Sequence, residues 1–542
     1  MIDLWYKNAI VYSLDVETFL DTDGDGIGDF AGLASKLDYL SSLHVTCVWL
    51  LPFYPSPNRD NGYDVTDFYN VDSRLGTLGD FVEFTRAARE RGIRVLADLV
   101  VNHTSVDHPW FQAAREDRDS MYRDYYLWSD EKPEDAHDGM VFPGVQESTW
   151  TWDERARAWY FHRFYRHQPD LNIANPRVRA EIARIMGFWL QLGVSGFRVD
   201  AVPFLIEGVG TREPRRSADE FLREFRGYLS WRQGDAILLA EANVRPEDVP
   251  TYVGAGDKIH VMFNFFANQH LFLALATENP IPIRDAYRAL PALPPVCQWA
   301  NFLRTHDELD LGRLGGEPRQ AVFDTFAPDP GMRLYERGIR RRLAPMLGND
   351  RQRIELAHSL MLTLPGTPIL RYGDEIGMGD DLSLEERQSI RTPMQWTDRA
   401  NGGFSSAPAG RLIHPVIEDG TFGCARVNVA AQGRDPDSLL SWIQRVIRVR
   451  REAPEFGSGS CEFVSARRDG VLAHRLRHEE RSVLILHNLS GERRRAVVSL
   501  RPGHAARDLL TYEEPETAGG ELRLDLPPYG YRWLREEPSA RE

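Results

Sequence analysis

The chain is predicted to fold as a (β/α)8 barrel with a segment inserted after the third strand and an antiparallel β-sandwich at its C-terminal end. Three observations carry that expectation. Short apolar, β-rich runs alternate with longer amphipathic stretches through most of the sequence, two of those runs end abruptly in charge, and from about residue 461 the pattern changes to residue-by-residue alternation. Apolar runs that switch to charge are how the parallel strands of a closed barrel present functional groups at its C-terminal face.

In order along the chain, IVYSLDV (10–16), VTCVWLL (45–51) and RVLADLV (94–100) read as strands, separated by helix-like segments such as FAGLASKLDYLSSL. After His103 this rhythm breaks for about seventy residues rich in Trp, Tyr, His and Asp. It resumes with the helix PRVRAEIARIMGFWLQLG, where Pro176 suits a first helical position. Further strands fall at 196–201, 236–242, 261–265, 299–305 and 367–372, which brings the number to the eight that close a barrel. Runs such as SVLILHNL and ELRLDL, punctuated by Gly and Pro, then read as a sandwich. The expected domains are therefore a barrel formed by 1–103 and 176–455, an insertion over 104–175, and a sandwich over 456–542.

With 542 residues and 42% hydrophobic content, the chain can bury a large core. No long apolar stretch or leader-like start is evident, so a cytoplasmic protein that does not engage membranes is expected. Cys47, Cys297, Cys424 and Cys461 lie far apart and suggest neither a disulfide framework nor a zinc site. A net charge of −15 argues against nucleic acid as partner and favours a neutral or cationic small molecule. Oligomeric state is left open, a homo-oligomer included.

Two carboxylates at neighbouring strand ends, Asp200 in GFRVDAVP (196–203) and Glu241 in AILLAEAN (236–243), suggest glycoside chemistry. Taken alone, an Asp at a strand end is more often a turn or cap residue, and Asp98 and His103 read as structural groups. Joint order changes that reading. DLVVNH (98–103), GFRVDAVP, LLAEAN (238–243) and FLRTHDE (302–308), in that order, resemble the four short regions of the α-amylase family, glycoside hydrolase family 13, and QPDLN (168–172) resembles a fifth. Within that family FAPDPGMR (326–333), GIRRRLAPMLGNDRQRIEL (338–356) and YGDEIGMGDD (372–381) followed by RTPMQW (391–396) are similar to trehalose synthases, which interconvert maltose and trehalose.

The resemblance implies a retaining mechanism, with Asp200 as nucleophile, Glu241 as acid and base, and Asp307 gripping the sugar hydroxyls most strongly in the transition state. Arg198, two residues before the nucleophile on the same strand face, is expected to keep Asp200 ionised and aimed. His103 and His306 resemble the family's hydroxyl-binding histidines. Tyr63 is expected to stack on the sugar, while Asp64 and Arg391 hold its non-reducing end and wall off the site. Ala201 resembles α-1,4-acting members. Three features depart from the subgroup and bear on acceptor choice: Thr305, Arg371 and the stretch 311–321.

For metals, DTDGDGIGD (21–29) places Asp21, Asp23, Asp25 and Asp29 at alternate positions with glycines between them, and with the Ile27 carbonyl this suits a calcium ion; a solvated acidic loop is the alternative. The resemblance implies a second calcium site from Asn102, Asp170 and Glu207, with backbone oxygens near Phe204 and Leu205. Either ion would be structural; no organic cofactor is expected. The function expected is maltose–trehalose isomerisation by transglucosylation, with hydrolysis of α-1,4-glucosides as the alternative. A segment over 315–349 would cover the site and exclude water. A carbohydrate-binding protein on an inactive scaffold is a third reading.

Overall fold

The computed structural model describes residues 3–207, 216–467 and 470–538. Eight parallel strands close into a barrel: β1 (Val11–Leu14), β2 (Cys47–Leu50), β3 (Arg94–Leu99), β4 (Gly196–Val199), β5 (Ile237–Ala240), β6 (Val261–Phe263), β7 (Gln298–Phe302) and β8 (Thr367–Arg371). Each pairs with its neighbours in sequence, and β8 returns to β1. All eight strands expected from the sequence are present, each ending earlier than expected, and β7 begins one residue sooner, at Gln298.

Period-two side-chain alternation divides the core in two. Trp49, Leu96, Leu239, Phe263 and Ile369 form one buried cluster inside the barrel. Their neighbours along the strands, Val48, Val95, Phe197, Leu238 and Met262, join helical residues such as Phe81, Ile182 and Trp189 in the larger cluster between barrel and helices. The same parity turns Asp98, Arg198, Asp200 and Glu241 inward. The helix Pro176–Gln191 feeds β4; Asn175 caps its first turn, Pro176 occupies the first position where no N–H is needed, and Ile182, Ile185, Met186 and Trp189 form its buried face.

Between β3 and β4, a three-stranded antiparallel sheet places Ala158–Phe161 between Trp128–Ser129 and Trp150–Asp153. A bridge pairing His103 with Asp170 ties this excursion to the chain after β3, and one pairing Tyr126 with Leu171 closes it on itself. After β7, a second small sheet pairs Gly338–Ile339 with both Leu309–Asp310 and Arg333–Leu334, so this cover hangs directly from the residues that follow Asp307. The helix Gly316–Phe326 lies within the same excursion.

The C-terminal region is a sandwich of a five-stranded and a three-stranded antiparallel sheet. Leu484, Leu486 and Leu534 of the first face Val498, Leu522 and Leu526 of the second. It docks on the barrel helix Arg351–Thr363, where Ser359 accepts from the Trp533 indole (2.8 Å) and meets His487 Nε2 (2.9 Å), and the Thr363 carbonyl meets His474 Nε2 (3.0 Å). Among the described residues no helix is long and apolar enough to cross a membrane.

Candidate active site

β4 and β5 bring Arg198, Asp200 and Glu241 together, and a glycine lets them do so. Gly196 has φ +150°, and a Cβ there would lie 2.4 Å from the Ile237 carbonyl oxygen, so a side chain would force apart the two strands that carry the chemistry. Ala201, immediately after Asp200, is held at φ 50°, a left-handed conformation that costs a non-glycine residue about 1–2 kcal/mol. Its N–H donates to Glu241 Oε2 (3.3 Å), and the Val202 N–H donates to the Glu241 carbonyl (3.2 Å), which fixes the bend.

Arg198 is the hub. Its Nη1 donates to Asp200 Oδ1 (2.6 Å) and to Asp98 Oδ1 (2.8 Å), and its Nη2 lies 2.5 Å from Glu241 Oε2. One buried guanidinium thus bridges both acids, where the sequence led us to expect it beside Asp200 alone. Asp98 completes the arrangement: fully buried, it also accepts from the Tyr63 hydroxyl (3.0 Å) and the Trp49 indole (3.3 Å). Asp98 therefore acts on Asp200 through Arg198, which strand periodicity could not reveal.

Asp307 follows β7 on a turn in which Thr305 Oγ1 accepts its N–H (3.2 Å). Its Oδ1 receives Arg387 Nη1 (3.0 Å) and Arg391 Nη2 (3.1 Å), and its Oδ2 is 3.3 Å from His306 Nε2. His306 also lies 2.7 Å from the Tyr63 hydroxyl, with the two rings parallel at 5.5 Å. His103 is buried with Nε2 3.1 Å from the Tyr63 carbonyl.

These groups have distinct protonation preferences. Burial pushes the Asp200 and Glu241 carboxyls up to about 7 against the pull of Arg198, with Asp307 adding to both. Two interacting acids release their protons in shared steps, so near neutral pH the pair can hold one proton, as a nucleophile and an acid require. Burial alone would raise Asp307 too, but the guanidinium groups of Arg387, Arg391 and Arg198 outweigh it and hold that carboxylate well below its usual range. Burial keeps His103, at about 3, and His306, well below its ordinary value, neutral.

A cavity of about 710 Å3 opens over this group, lined by Asp200, Glu241, Asp307, Tyr63 and His103 together with Asp60, Phe142 and Arg387. That volume suits a small ligand of disaccharide size. The structure corrects one expectation here. Asp64 is off the cavity wall, its Oδ1 accepting from the Ser56 hydroxyl (2.7 Å), and it does not pair with Arg391. Arg391 is itself committed to the His306 carbonyl, Asn61 and Asp307. In place of Asp64 and Arg391, their chain neighbours Asp60 and Arg387 line the cavity. The cause is a tight turn: the Tyr63 N–H donates to the Asp60 carbonyl (2.9 Å) across Asn61 (φ 45°) and Gly62 (φ 86°), the Asn-Gly pair such a turn favours, so Asp60 and Tyr63 share the wall and Asp64 turns back. Thr305 lines the cavity, as does Arg313 from the 311–321 stretch, whereas Arg371 lies inside the barrel, donating to the Ile390 carbonyl (3.0 Å).

Of the expected cation ligands, oxygens of Asp21, Asp23 and Asp29 converge to within 4.8 Å of one another, an acidic cluster that fits a hard cation. Asp25 does not join them; its Oδ1 accepts the Ile27 N–H (2.8 Å). At the second set, Asp170 accepts the Arg163 N–H (2.8 Å), and the Arg163 guanidinium, 5.0 Å from the Phe204 ring, already supplies positive charge beside it. Asn102 neighbours Asp170, and Leu205 is buried nearby in sequence, while the Glu207 side chain lies outside the described residues.

Residues 15–309 and 339–459 match the family described as alpha amylase, catalytic domain, and 461–533 match the maltogenic amylase C-terminal domain. The chain is 43% identical to a trehalose synthase from Pimelobacter sp. over 98% of its own length and 96% of the relative's. It is 42% identical to a trehalose synthase/amylase from Mycolicibacterium smegmatis, over 99% and 94%. Among solved structures, an alpha-amylase from H. orenii superposes with a TM-score of 0.79 at 28% identity, covering 98% of this chain and all of that one. The trehalulose synthase MutB from Pseudomonas mesoacidophila superposes at 0.78 and 26% identity, covering 98% and 99%. A closed barrel carrying inward acids on β4 and β5, a C-terminal sandwich and matches running nearly end to end place this chain in the α-amylase family, glycoside hydrolase family 13.

Proposed function

We propose that this enzyme interconverts maltose and trehalose through a covalent glucosyl-enzyme. The observation that carries the proposal is the similarity to trehalose synthases, which spans 98% of the chain and so extends across 310–338, where the broader family match breaks. Asp200 attacks the anomeric carbon while Glu241 gives its proton to the glycosidic oxygen, releasing one glucose. Arg198 aims both carboxylates. Asp307, fixed as an anion by Arg387 and Arg391, binds hydroxyls of the flattening ring. Tyr63 and His103 position that ring, assisted by His306. The freed glucose then turns, and a different hydroxyl attacks the same carbon; its proton passes to Glu241, the bond to Asp200 breaks, and the anomeric configuration is restored.

The acidic loop is read as a calcium site held by Asp21, Asp23 and Asp29, with the Ile27 carbonyl as a further donor. Such an ion would brace the loop and supply no step of the reaction. We place the enzyme in the cytoplasm, acting on small α-glucosides; related structures hold glucose and isomaltulose.

Incubation with maltose followed by sugar separation tests this function. Trehalose should accumulate. Glucose as nearly the sole product would eliminate the isomerase and leave a maltase-type hydrolase. Asp200→Ala should abolish release from an aryl α-glucoside, and retained turnover would refute the nucleophile assignment.

A further inference from the structure

We infer that Glu386 is a latch that holds the cavity shut, tying Tyr165 of the inserted segment to Tyr335 of the cover and so limiting capture of the glucosyl-enzyme by water. The inference rests on the function proposed above. Both hydroxyls donate to the same carboxylate oxygen, Glu386 Oε2, at 2.8 Å each, and lie 3.3 Å from one another. Three stretches distant in sequence therefore meet at one atom. Phe142, which lines the cavity, packs on the rings of Tyr165 (4.6 Å) and Tyr335 (4.8 Å), and the Arg387 guanidinium covers Phe142 (5.0 Å) and Tyr335 (5.4 Å). The latch thus backs two residues of the cavity wall, Phe142 and Arg387, the second of which binds Asp307.

The backbone shows that this arrangement is imposed. Tyr335 (φ 52°), Glu336 (φ 61°) and Glu386 (φ 43°) are all left-handed non-glycine residues. Tyr335 and Glu336 turn the hairpin between Arg333–Leu334 and Gly338–Ile339, closed by the Arg337 N–H to the Leu334 carbonyl (3.3 Å). Asn-Gly would make that turn without strain. A Tyr-Glu pair is strained there and persists only where surrounding contacts over-determine it; the Tyr335 ring and hydroxyl supply such contacts, alongside the strand pairing and the Arg337 contacts with Glu308 and Asp310. Tyr335 also falls inside 310–338, the stretch outside the family match. Tyr165 and Glu386 lie within the matched stretches, so the latch joins one residue of the unmatched segment to two of the shared framework. When it opens, a water oxygen takes the anomeric carbon, the bond to Asp200 breaks, the water's proton passes to Glu241, and glucose leaves in place of trehalose.

The test uses Tyr165→Phe, Tyr335→Phe and the double variant, which keep the rings and remove the hydroxyls. Amide hydrogen exchange over 333–340 in the free enzyme should quicken by roughly tenfold, the loss expected for hydrogen bonds to a carboxylate. On maltose the glucose-to-trehalose ratio should rise by roughly the same factor, while first-turnover release of the aryl group from an aryl α-glucoside, which precedes water capture, stays at the wild-type rate. Unchanged exchange overturns the latch. Faster exchange with an unchanged product ratio overturns its role in excluding water. Wild-type enzyme that makes no trehalose sinks the isomerase reading, and the exchange measurement still decides the latch. If the double variant fails to fold, Tyr165→Phe carries both readouts from outside the strained hairpin.

Discussion

Arg198→Lys keeps a positive charge at the centre of the site and removes the fork that distributes it. The guanidinium reaches Asp98 (2.8 Å), Asp200 (2.6 Å) and Glu241 (2.5 Å) from two nitrogens. A single ammonium nitrogen cannot reproduce those three directions. Each charge-assisted hydrogen bond contributes about 1.5–3 kcal/mol, so losing the alignment of one carboxylate should lower kcat/KM roughly 10- to 150-fold, at about 1.4 kcal/mol per decade. A second effect is independent of the first. Arg198 is the largest influence opposing the burial that lifts Asp200 and Glu241 to about 7. Weakening that opposition should move the acid limb of the kcat/KM profile, which reports ionisation in the free enzyme, to higher pH. The assay is kcat/KM against pH on an aryl α-glucoside. Activity within threefold of wild type, with an unmoved acid limb, would refute both the hub and its electrostatic role.

Asp60→Asn should raise KM for maltose roughly tenfold, since Asp60 faces the cavity and Asp64 does not; Asp64→Asn should change KM less than about twofold and lower stability by about 1 kcal/mol through the weakened Ser56 contact. The reverse ranking would restore the assignment expected from sequence. Burial lowers His358 to about 3 and His474 to about 4 at the junction of barrel and sandwich, and His487 lies well below its ordinary value. The unfolded chain binds these protons below pH 6.5 and the folded protein cannot, so stability should be full above 6.5 and fall steadily as the pH drops toward 3–4. Urea midpoints from pH 8 to 4 measure this, and a flat profile would contradict it. If the cluster of Asp21, Asp23 and Asp29 holds calcium, a chelator should lower the melting temperature by several degrees and added Ca2+ should restore it; an unchanged melting temperature argues for a solvated loop.

The sequence by itself determined the eight strands, their order, and the placement of Asp200 and Glu241 at the ends of β4 and β5. It could do so because strand periodicity is local: apolar runs, turn residues and the switch to charge are all readable within a few positions. It also marked Asp307, Tyr63 and both histidines through short motifs. Tertiary structure alone decided which neighbours share the cavity. Asp60 and Asp64 flank the same Tyr63, and a turn through two positive φ angles selects Asp60. Arg387 and Arg391 are one helical turn apart; packing sends Arg391 behind Asp307 and Arg387 to the cavity wall. Asp98 is buried, as its strand position suggested, yet its part in holding Arg198 exists only once β3 pairs with β4. Tyr165, Tyr335 and Glu386 lie in separate parts of the chain that no local pattern relates. Their meeting is fixed by closing the barrel and docking two excursions over its mouth, where long-range packing decides the contacts.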